Sequence, residues 1–269
     1  MSKTEQQYSP IIELLEEDEF LKSISREYKG FLNYNNPFIH KPKVLFIGIN
    51  PGEGAYLEKN SIKSNKPQYP KRLISNGDLT QIDWLKDGVS RGEFNKQIQK
   101  GYKWYERTKK INNQFPKRMI EFFFEYYDLN DKSDFSEIEN RINSEIFYHN
   151  LYPIATKSTT ELNTILKKIV PRLATLNGKD IKNKNDLKNF FRQRTIDLIK
   201  EIQPDNIVCL GIQAFKELTF SNQKLDTNNP KKTYKTSFRQ NDKDEYPVYV
   251  ISRNGNWEGK VKELGKHLR

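Results

Sequence analysis

Four short stretches of the chain are dominated by apolar residues, and each runs into a polar loop. They are residues 43–49 (KVLFIGI), 145–150 (EIFYHN), 206–212 (NIVCLGI) and 246–252 (YPVYVIS). Each is too short for a typical helix, and an almost unbroken apolar run is typical of a strand buried on both faces of a parallel sheet. The pattern therefore predicts four buried strands.

Stretches with helical spacing of apolar residues separate these strands. Strands that alternate with helices indicate right-handed βαβ crossovers, so we expect an α/β fold, a three-layer α/β/α arrangement around a central four-stranded, mainly parallel sheet. One domain over residues 1–269 is expected, with a basic insertion at about 55–113 and an exposed polar excursion at 221–245. The predicted helices span 9–32 (with Ser9 as N-cap and Pro10 in the first turn), 115–129, 160–174, 186–202, 213–218 and 258–268.

The charge of the chain is high and unevenly distributed. The 269 residues carry a formal net charge of +11, whereas residues 1–20 have one Lys against six acidic residues. Residues 59–118 hold fifteen Lys or Arg and five acidic residues, a local charge of +10. Such asymmetry is expected of a protein that binds a polyanion. A solvated Lys-rich surface would give the same count, so charge alone leaves nucleic acid binding open.

Several classes of protein are excluded by composition. The single cysteine, Cys209, allows neither a disulfide framework nor an iron–sulfur cluster, and the three histidines are scattered, so no metal or other cofactor is expected. No apolar run approaches the length of a membrane-spanning helix, and the acidic N-terminus lacks the pattern of a signal peptide. We expect a soluble, cytoplasmic monomer with no membrane partner.

Polar loops follow three of the four predicted strands. They are Asn50-Pro51-Gly52 after the first, His149-Asn150 at the end of the second, and residues 252–256 after the last. In open parallel sheets, ligands bind outside the carboxyl ends of the strands. The three loops are therefore expected to converge on one crevice.

Four motifs in this order resemble the uracil-DNA glycosylase superfamily: GINPG (48–52), HNLYP (149–153), PDNIVCLGIQAFKEL (204–218) and VISRNGNW (250–257). The Asn-Pro-Gly loop is most similar to the mismatch-specific uracil/thymine and single-strand-selective branches. The resemblance spans roughly residues 40–269, apart from the insertions. It departs at the last loop, where the family usually has His-Pro-Ser or Asn-Pro-Ser and this chain has Ser252-Arg253-Asn254.

The resemblance implies a monofunctional DNA glycosylase that hydrolyses the N-glycosidic bond of a flipped uracil or other modified base, in double- or single-stranded DNA. Asn50 would hold the attacking water, and Glu53 would supply a carboxylate if the turn brings it round. Asn150 would read the edge of the base, and Tyr56 would stack on it. Asn50 could instead cap the next helix, and Asn150 could satisfy nearby backbone. Strand alternation sends His149 to the opposite face, in a structural role.

The last loop is expected to contact the leaving base and the DNA backbone. Arg253 could stabilise an anionic base or clamp a phosphate, and Asn254 stands beside it as a base-binding candidate. Trp257 lies where relatives wedge a side chain into the DNA stack, although a tryptophan that anchors the last helix would look the same.

The basic insertion interleaves cations with aromatic residues, which suits contact with phosphates and bases. The segment predicted to touch DNA includes Lys103, Trp104 and Lys109. A solvated helix with buried aromatics is the alternative. Because the last loop is atypical, a catalytically silent nucleic-acid-binding module on the same scaffold remains a second hypothesis. A nucleotide-binding loop is disfavoured, since GINPGEGAY lacks the Lys-Ser/Thr pair of a phosphate-binding P-loop.

Overall fold

A computed structural model describes residues 3–24, 26–28, 30–31, 39–50, 115–129, 141–142, 144–219, 224–236, 238 and 245–269. Five of the predicted site residues lie outside the described residues, and their roles stay predictions: Glu53, Tyr56, Lys103, Trp104 and Lys109.

Helices and strands alternate through the described part of the chain. The strands are β1 (Gly30–Phe31), β2 (Val44–Gly48), β3 (Ile146–Asn150), β4 (Ile154–Ala155), β5 (Thr175–Leu176), β6 (Lys179–Asp180), β7 (Asn206–Cys209), β8 (Tyr234–Thr236) and β9 (Tyr246–Val250). The helices are α1 (Lys3–Glu16), α2 (Asp18–Ile24), α3 (Phe115–Tyr126), α4 (Thr159–Ile169), α5 (Lys184–Ile202), α6 (Ile212–Thr219) and α7 (Trp257–Leu268), with a 3-10 turn at Val170–Arg172. None of these helices combines the length and the apolar character needed to cross a bilayer.

The central sheet has the strand order β3-β2-β7-β9-β8. The first four strands are mutually parallel, which confirms the predicted α/β fold with its four-stranded parallel core. β8 pairs antiparallel with β9 at the edge of the sheet. The sequence placed this segment in the exposed excursion 221–245, and that expectation was wrong for 234–236. An edge strand of three residues is too short to impose a clear apolar pattern.

Each face of the sheet is covered by its own set of helices. Along β2, Leu45 and Ile47 join one apolar cluster and Val44 and Phe46 join the other, because successive side chains point to opposite faces. The first cluster includes apolar side chains of α1, α2, α4, α5 and α6. The second is built with α3 and α7. Burial on both faces is what makes the strands apolar throughout, and it gives the three layers.

The N-terminal segment is helical but not as one helix over 9–32. α1 begins at Lys3, so Ser9 is not its N-cap and Pro10 lies inside the helix. The chain breaks at Glu17 before α2, which ends at Ile24. Gly30 and Phe31 are extended and pair with β4. Apolar spacing continues across the break, and therefore it could not reveal where the backbone leaves the helix.

α3 and α7 pack closely because Gly265 lies at their crossing. A Cβ at this position would be 2.7 Å from the Phe122 carbonyl oxygen and 3.1 Å from Cβ of Glu125. Phe122 in turn packs edge-on against Phe46 of β2, with ring centroids 5.0 Å apart. Gly265 thus sets the distance between the two helices that cover one face of the sheet.

Gly265→Ala is expected to destabilise the protein by about 1–3 kcal/mol, because the added methyl group would push against the α3 backbone. In an unobstructed helix the same change would stabilise by up to about 1 kcal/mol. Chemical denaturation measures the difference. Glu263→Ala on the same helix, which removes only an exposed ion pair with Lys231, is the control and should be nearly neutral. A stabilised Gly265→Ala protein would contradict the packing.

Candidate functional site

The loops that follow the four parallel strands all leave the sheet at one edge, the edge formed by the carboxyl ends of these strands and not the lateral edge where β8 lies. Gly48 and Asn150 end β2 and β3 as register partners. Lateral hydrogen bonds continue past the strand ends, from the backbone N–H groups of Leu151, Leu210 and Ile251 to the carbonyl oxygens of Gly48, Ile47 and Cys209 at 2.9, 2.8 and 3.0 Å. This register brings Asn50, Asn150 and the loop 252–256 to the same edge of the sheet, although they are far apart in sequence.

The Asn50 side chain is held by the segment that follows β4. Its Nδ2 donates to Thr156 Oγ1 at 2.9 Å and to the Ile154 carbonyl oxygen at 3.4 Å. The Thr156 hydroxyl donates to the Ser158 carbonyl oxygen, and Ser158 caps α4 by accepting from the Glu161 N–H. The orientation of the Asn50 amide is therefore fixed by protein contacts on its nitrogen.

Asn150 is buried at the end of β3, with 1 % of its surface exposed. Its Oδ1 accepts a hydrogen bond from the Tyr148 hydroxyl at 3.0 Å, two residues earlier on the same face of the strand. Its Nδ2 is buried and has no hydrogen-bond partner among the described residues. A buried amide nitrogen without an acceptor costs free energy, on the order of 1–3 kcal/mol, unless a ligand or water supplies one. Asn150 thus has a donor to offer.

Gly48 makes room for the Asn150 side chain. A Cβ on Gly48 would lie 2.5 Å from Asn150 Oδ1 and 3.0 Å from the Tyr148 hydroxyl oxygen. Real Cβ atoms do not approach an oxygen at 2.5 Å, so a larger residue would displace the asparagine. The glycine of the GINPG motif therefore has a steric role that depends on its neighbour strand.

Arg253, from the loop after β9, lies close to this pair. Burial raises the pKa of Tyr148 to about 12, while the positive charge of Arg253 and the hydrogen bond to Asn150 act in the opposite direction. The phenol therefore stays protonated at neutral pH. This electrostatic interaction couples the loop after β9 to the end of β3.

The last loop has a defined turn. The Asn254 N–H donates to Ser252 Oγ at 3.2 Å, and Lys260 Nζ donates to the Asn254 carbonyl oxygen at 3.1 Å. These contacts use the backbone of Asn254, and a base-binding role for its exposed side chain stays a prediction. The Arg253 guanidinium lies 5.6 Å from the centre of the Trp257 ring. Arg253 itself is exposed at the protein surface.

Trp257 is a core residue at the start of α7. It is 7 % exposed and belongs to the apolar cluster that covers one face of the sheet. A side chain that wedges into DNA must be exposed, so this burial favours the anchoring role over the DNA contact that the sequence also suggested. The aromatic ring helps to hold the first turn of α7 and, through it, the loop that carries Arg253.

The segment after Asn150 is fixed by a polar network between three elements. The Tyr152 hydroxyl donates to Glu217 Oε2 at 2.7 Å, and Lys188 Nζ donates to Glu217 Oε1 at 2.6 Å. Gln213 Nε2 also donates to Oε1, at 2.9 Å. Burial alone would raise the pKa of Glu217, but the hydrogen bonds from Lys188 and Tyr152 outweigh it and lower that pKa. The network therefore keeps Glu217 ionised and ties the β3 loop to α5 and α6.

His149 points away from the site, as strand alternation predicts. Its Nε2 lies 3.1 Å from Thr195 Oγ1 on α5, on the opposite face of the sheet from Asn150. Across the described part of the chain, no three His, Cys, Asp or Glu side chains come together in a way that could hold a metal ion. The polar side chains described above at this edge of the sheet include the amides of Asn50 and Asn150, the hydroxyls of Tyr148 and Thr156, and the guanidinium of Arg253.

Two contributors to the site were missed by sequence reasoning. Tyr148 could have been found, because it lies two residues before Asn150 and a strand places both on one face. Thr156 gave no such signal, since its contact with Asn50 joins positions 106 residues apart. A scan of protein-family models finds none that matches the chain, and a search of curated proteins finds no significant similarity.

Glu217→Gln is expected to destabilise the protein by about 1–3 kcal/mol at pH 7, because it leaves the largely buried Lys188 ammonium without its counter-charge. The folded-state pKa of Glu217 is lowered, so its contribution is present above the ordinary carboxyl pKa of about 4.3 and is lost as the pH falls through the lowered value. Denaturation curves between pH 3 and 7 should therefore converge for wild type and variant at the acid end. Glu201→Gln, an exposed site on α5, is the control. A difference in the free energy of unfolding between wild type and Glu217→Gln that stays unchanged at low pH would contradict this role of the Glu217 charge.

Proposed function

We propose that the chain is a DNA glycosylase, which hydrolyses the N-glycosidic bond of a flipped uracil or other modified base and leaves an abasic site. The observation that carries the proposal is the buried Nδ2 donor of Asn150, without a partner among the described residues, at the sheet edge that also carries Asn50 and Arg253. The proposal includes a cytoplasmic, monomeric enzyme that needs no cofactor.

The chemistry of base removal requires different groups on the two sides of the bond that breaks. The sugar develops oxocarbenium character and needs a positioned water, and the base departs with negative charge and needs hydrogen-bond donors or a cation. Asn50 would position the water: its nitrogen donates a hydrogen bond to Thr156, and its carbonyl oxygen would orient the water. Asn150 and Arg253 would stabilise the departing base, Asn150 as a buried hydrogen-bond donor and Arg253 as a positive charge.

The proposed reaction proceeds by hydrolysis, without a covalent enzyme intermediate. Water attacks the anomeric carbon as the C–N bond breaks, the electron pair of that bond leaves with the base, and the proton of the water is released to solvent. An amide orients water but is a weak base, so the reaction is expected to be slower than one served by a carboxylate at the position of Asn50. Glu53 would change that expectation if it approaches the same water.

A catalytically silent nucleic-acid-binding module is the second candidate. The feature that favours it is the last loop. Ser252-Arg253-Asn254 stands there in place of the usual His-Pro-Ser or Asn-Pro-Ser motif, and the Ser252 hydroxyl accepts a hydrogen bond from the Asn254 backbone N–H. Arg253 could then serve only to clamp a phosphate. The two candidates differ in whether an abasic product forms.

Asn50→Ala should reduce base excision by roughly a hundredfold or more while DNA binding is kept, because it removes the group that orients the water. Duplex and single-stranded oligonucleotides with one uracil are incubated with the protein, treated with alkali and analysed for strand scission. Asn228→Ala changes an exposed asparagine distant in sequence from Asn50; it is the matched control and should excise the base at the wild-type rate.

The same assay separates the two candidates. Scission by wild type that is lost in Asn50→Ala supports the enzyme. Gel-shift binding by wild type without any abasic product, across uracil and a panel of modified bases, would contradict the enzyme and support the silent module.

A further inference from the structure

We propose that Tyr148 fixes the orientation of the Asn150 amide and so selects bases that present a carbonyl oxygen, rather than an amino group, to the site. This inference rests on the proposed function, since it concerns the base that the same site would bind. It assigns a positioning role to a residue that is not expected to touch the reacting atoms.

The Tyr148–Asn150 contact is buried and packs against Gly48 of the neighbouring strand β2. Both residues lie on the same face of β3, and their side chains are 9 % and 1 % exposed. The hydroxyl and Oδ1 are 3.0 Å apart, a good distance for a hydrogen bond between neutral groups. Only a glycine at position 48 leaves space for both atoms. Water does not compete for a bond in this position, so the contact holds the amide in one of its two orientations.

The hydrogen of this bond belongs to the tyrosine. Burial keeps the phenol protonated, because its pKa is raised to about 12. The guanidinium of Arg253 has N–H donors but no atom that can accept a hydrogen bond. Its positive charge favours an orientation of the hydroxyl in which the lone pairs of the phenol oxygen, and not its hydrogen, point towards Arg253. The O–H group is then directed away from Arg253 and towards Asn150 Oδ1. An amide whose oxygen accepts from Tyr148 necessarily presents its NH₂ group on the other side.

The presented group is the Nδ2 atom, which is buried without an acceptor among the described residues. A carbonyl oxygen, such as the 4-oxo group of a pyrimidine or the 6-oxo group of a purine, would satisfy it. An exocyclic amino group at the same place would set donor against donor and leave both without a partner. A site built to form one hydrogen bond rejects an analogue that cannot form it by about tenfold to several hundredfold.

Equilibrium binding tests this without requiring catalysis. The probes are single-stranded oligonucleotides with one 2′-fluoro-2′-deoxyuridine or one 2′-fluoro-2′-deoxycytidine, in which fluorine stabilises the glycosidic bond and no opposing base affects the comparison. Wild type should bind the 4-oxo probe at least tenfold more tightly. In Tyr148→Phe, where the amide is released, the two affinities should differ by no more than about twofold.

Two controls separate orientation from general damage. Tyr249→Phe removes a hydroxyl from the same apolar cluster, three strands away in the sheet, and should keep the wild-type preference. Binding of an oligonucleotide with a tetrahydrofuran abasic analogue, which has no base, should be equal in wild type and Tyr148→Phe. Loss of this binding in Tyr148→Phe would attribute the change to misfolding and overturn the assignment.

The outcomes for this inference and for the proposed function are distinct. A 4-oxo preference that Tyr148→Phe abolishes, in a protein that never excises a base, supports the orienting role and defeats only the enzyme. Excision by wild type together with an unchanged preference in Tyr148→Phe supports the enzyme and overturns the orienting role. A wild type that binds both probes equally also overturns it.

Discussion

The close approach of the Asn150 side chain to the Gly48 backbone is the contact on which the rest of the site depends. It requires parallel strands in one register, a glycine at the end of the first and an asparagine at the end of the second. Once the amide occupies this space, its oxygen lies against the Tyr148 hydroxyl and its nitrogen is left to bind something else. The polar chemistry of the site follows from this steric arrangement.

The rest of the fold serves to hold the strand ends still. Each strand tip is tied to the next by backbone hydrogen bonds that continue beyond the strands themselves. Thr156 fixes Asn50 from one side, and Glu217 holds the chain after Asn150 through Tyr152 and Lys188. Trp257 anchors the helix that follows the Arg253 loop. These contacts come from four separate parts of the chain, so the geometry is a property of the whole core rather than of one motif.

Sequence patterns predicted the buried strands of the core well, but they did not reveal the helix break, the edge strand or the contacts between side chains distant in sequence. Strands buried on both faces are apolar throughout, which is why β2, β3, β7 and β9 were found with boundaries correct to within two or three residues. The helix break at Glu17 and the edge strand β8 were missed, because neither changes the apolar pattern. The placement of Asn150 at a strand end could be predicted, whereas its contacts with Gly48 and Tyr148 and the anchoring of Asn50 by Thr156 depend on tertiary packing that spacing does not encode.

We propose that the strand ends surround a single everted nucleotide whose base is bound by Asn150. A crystal structure of the protein with a single-stranded oligonucleotide that contains one 2′-fluoro-2′-deoxyuridine would reveal where that nucleotide binds. The base is expected out of the stack, with its O4 atom about 3 Å from Asn150 Nδ2, its sugar beside Asn50 and Arg253 near the base or its phosphate. DNA bound at another surface, or a uracil that remains stacked while Asn150 Nδ2 donates to the protein, would contradict it.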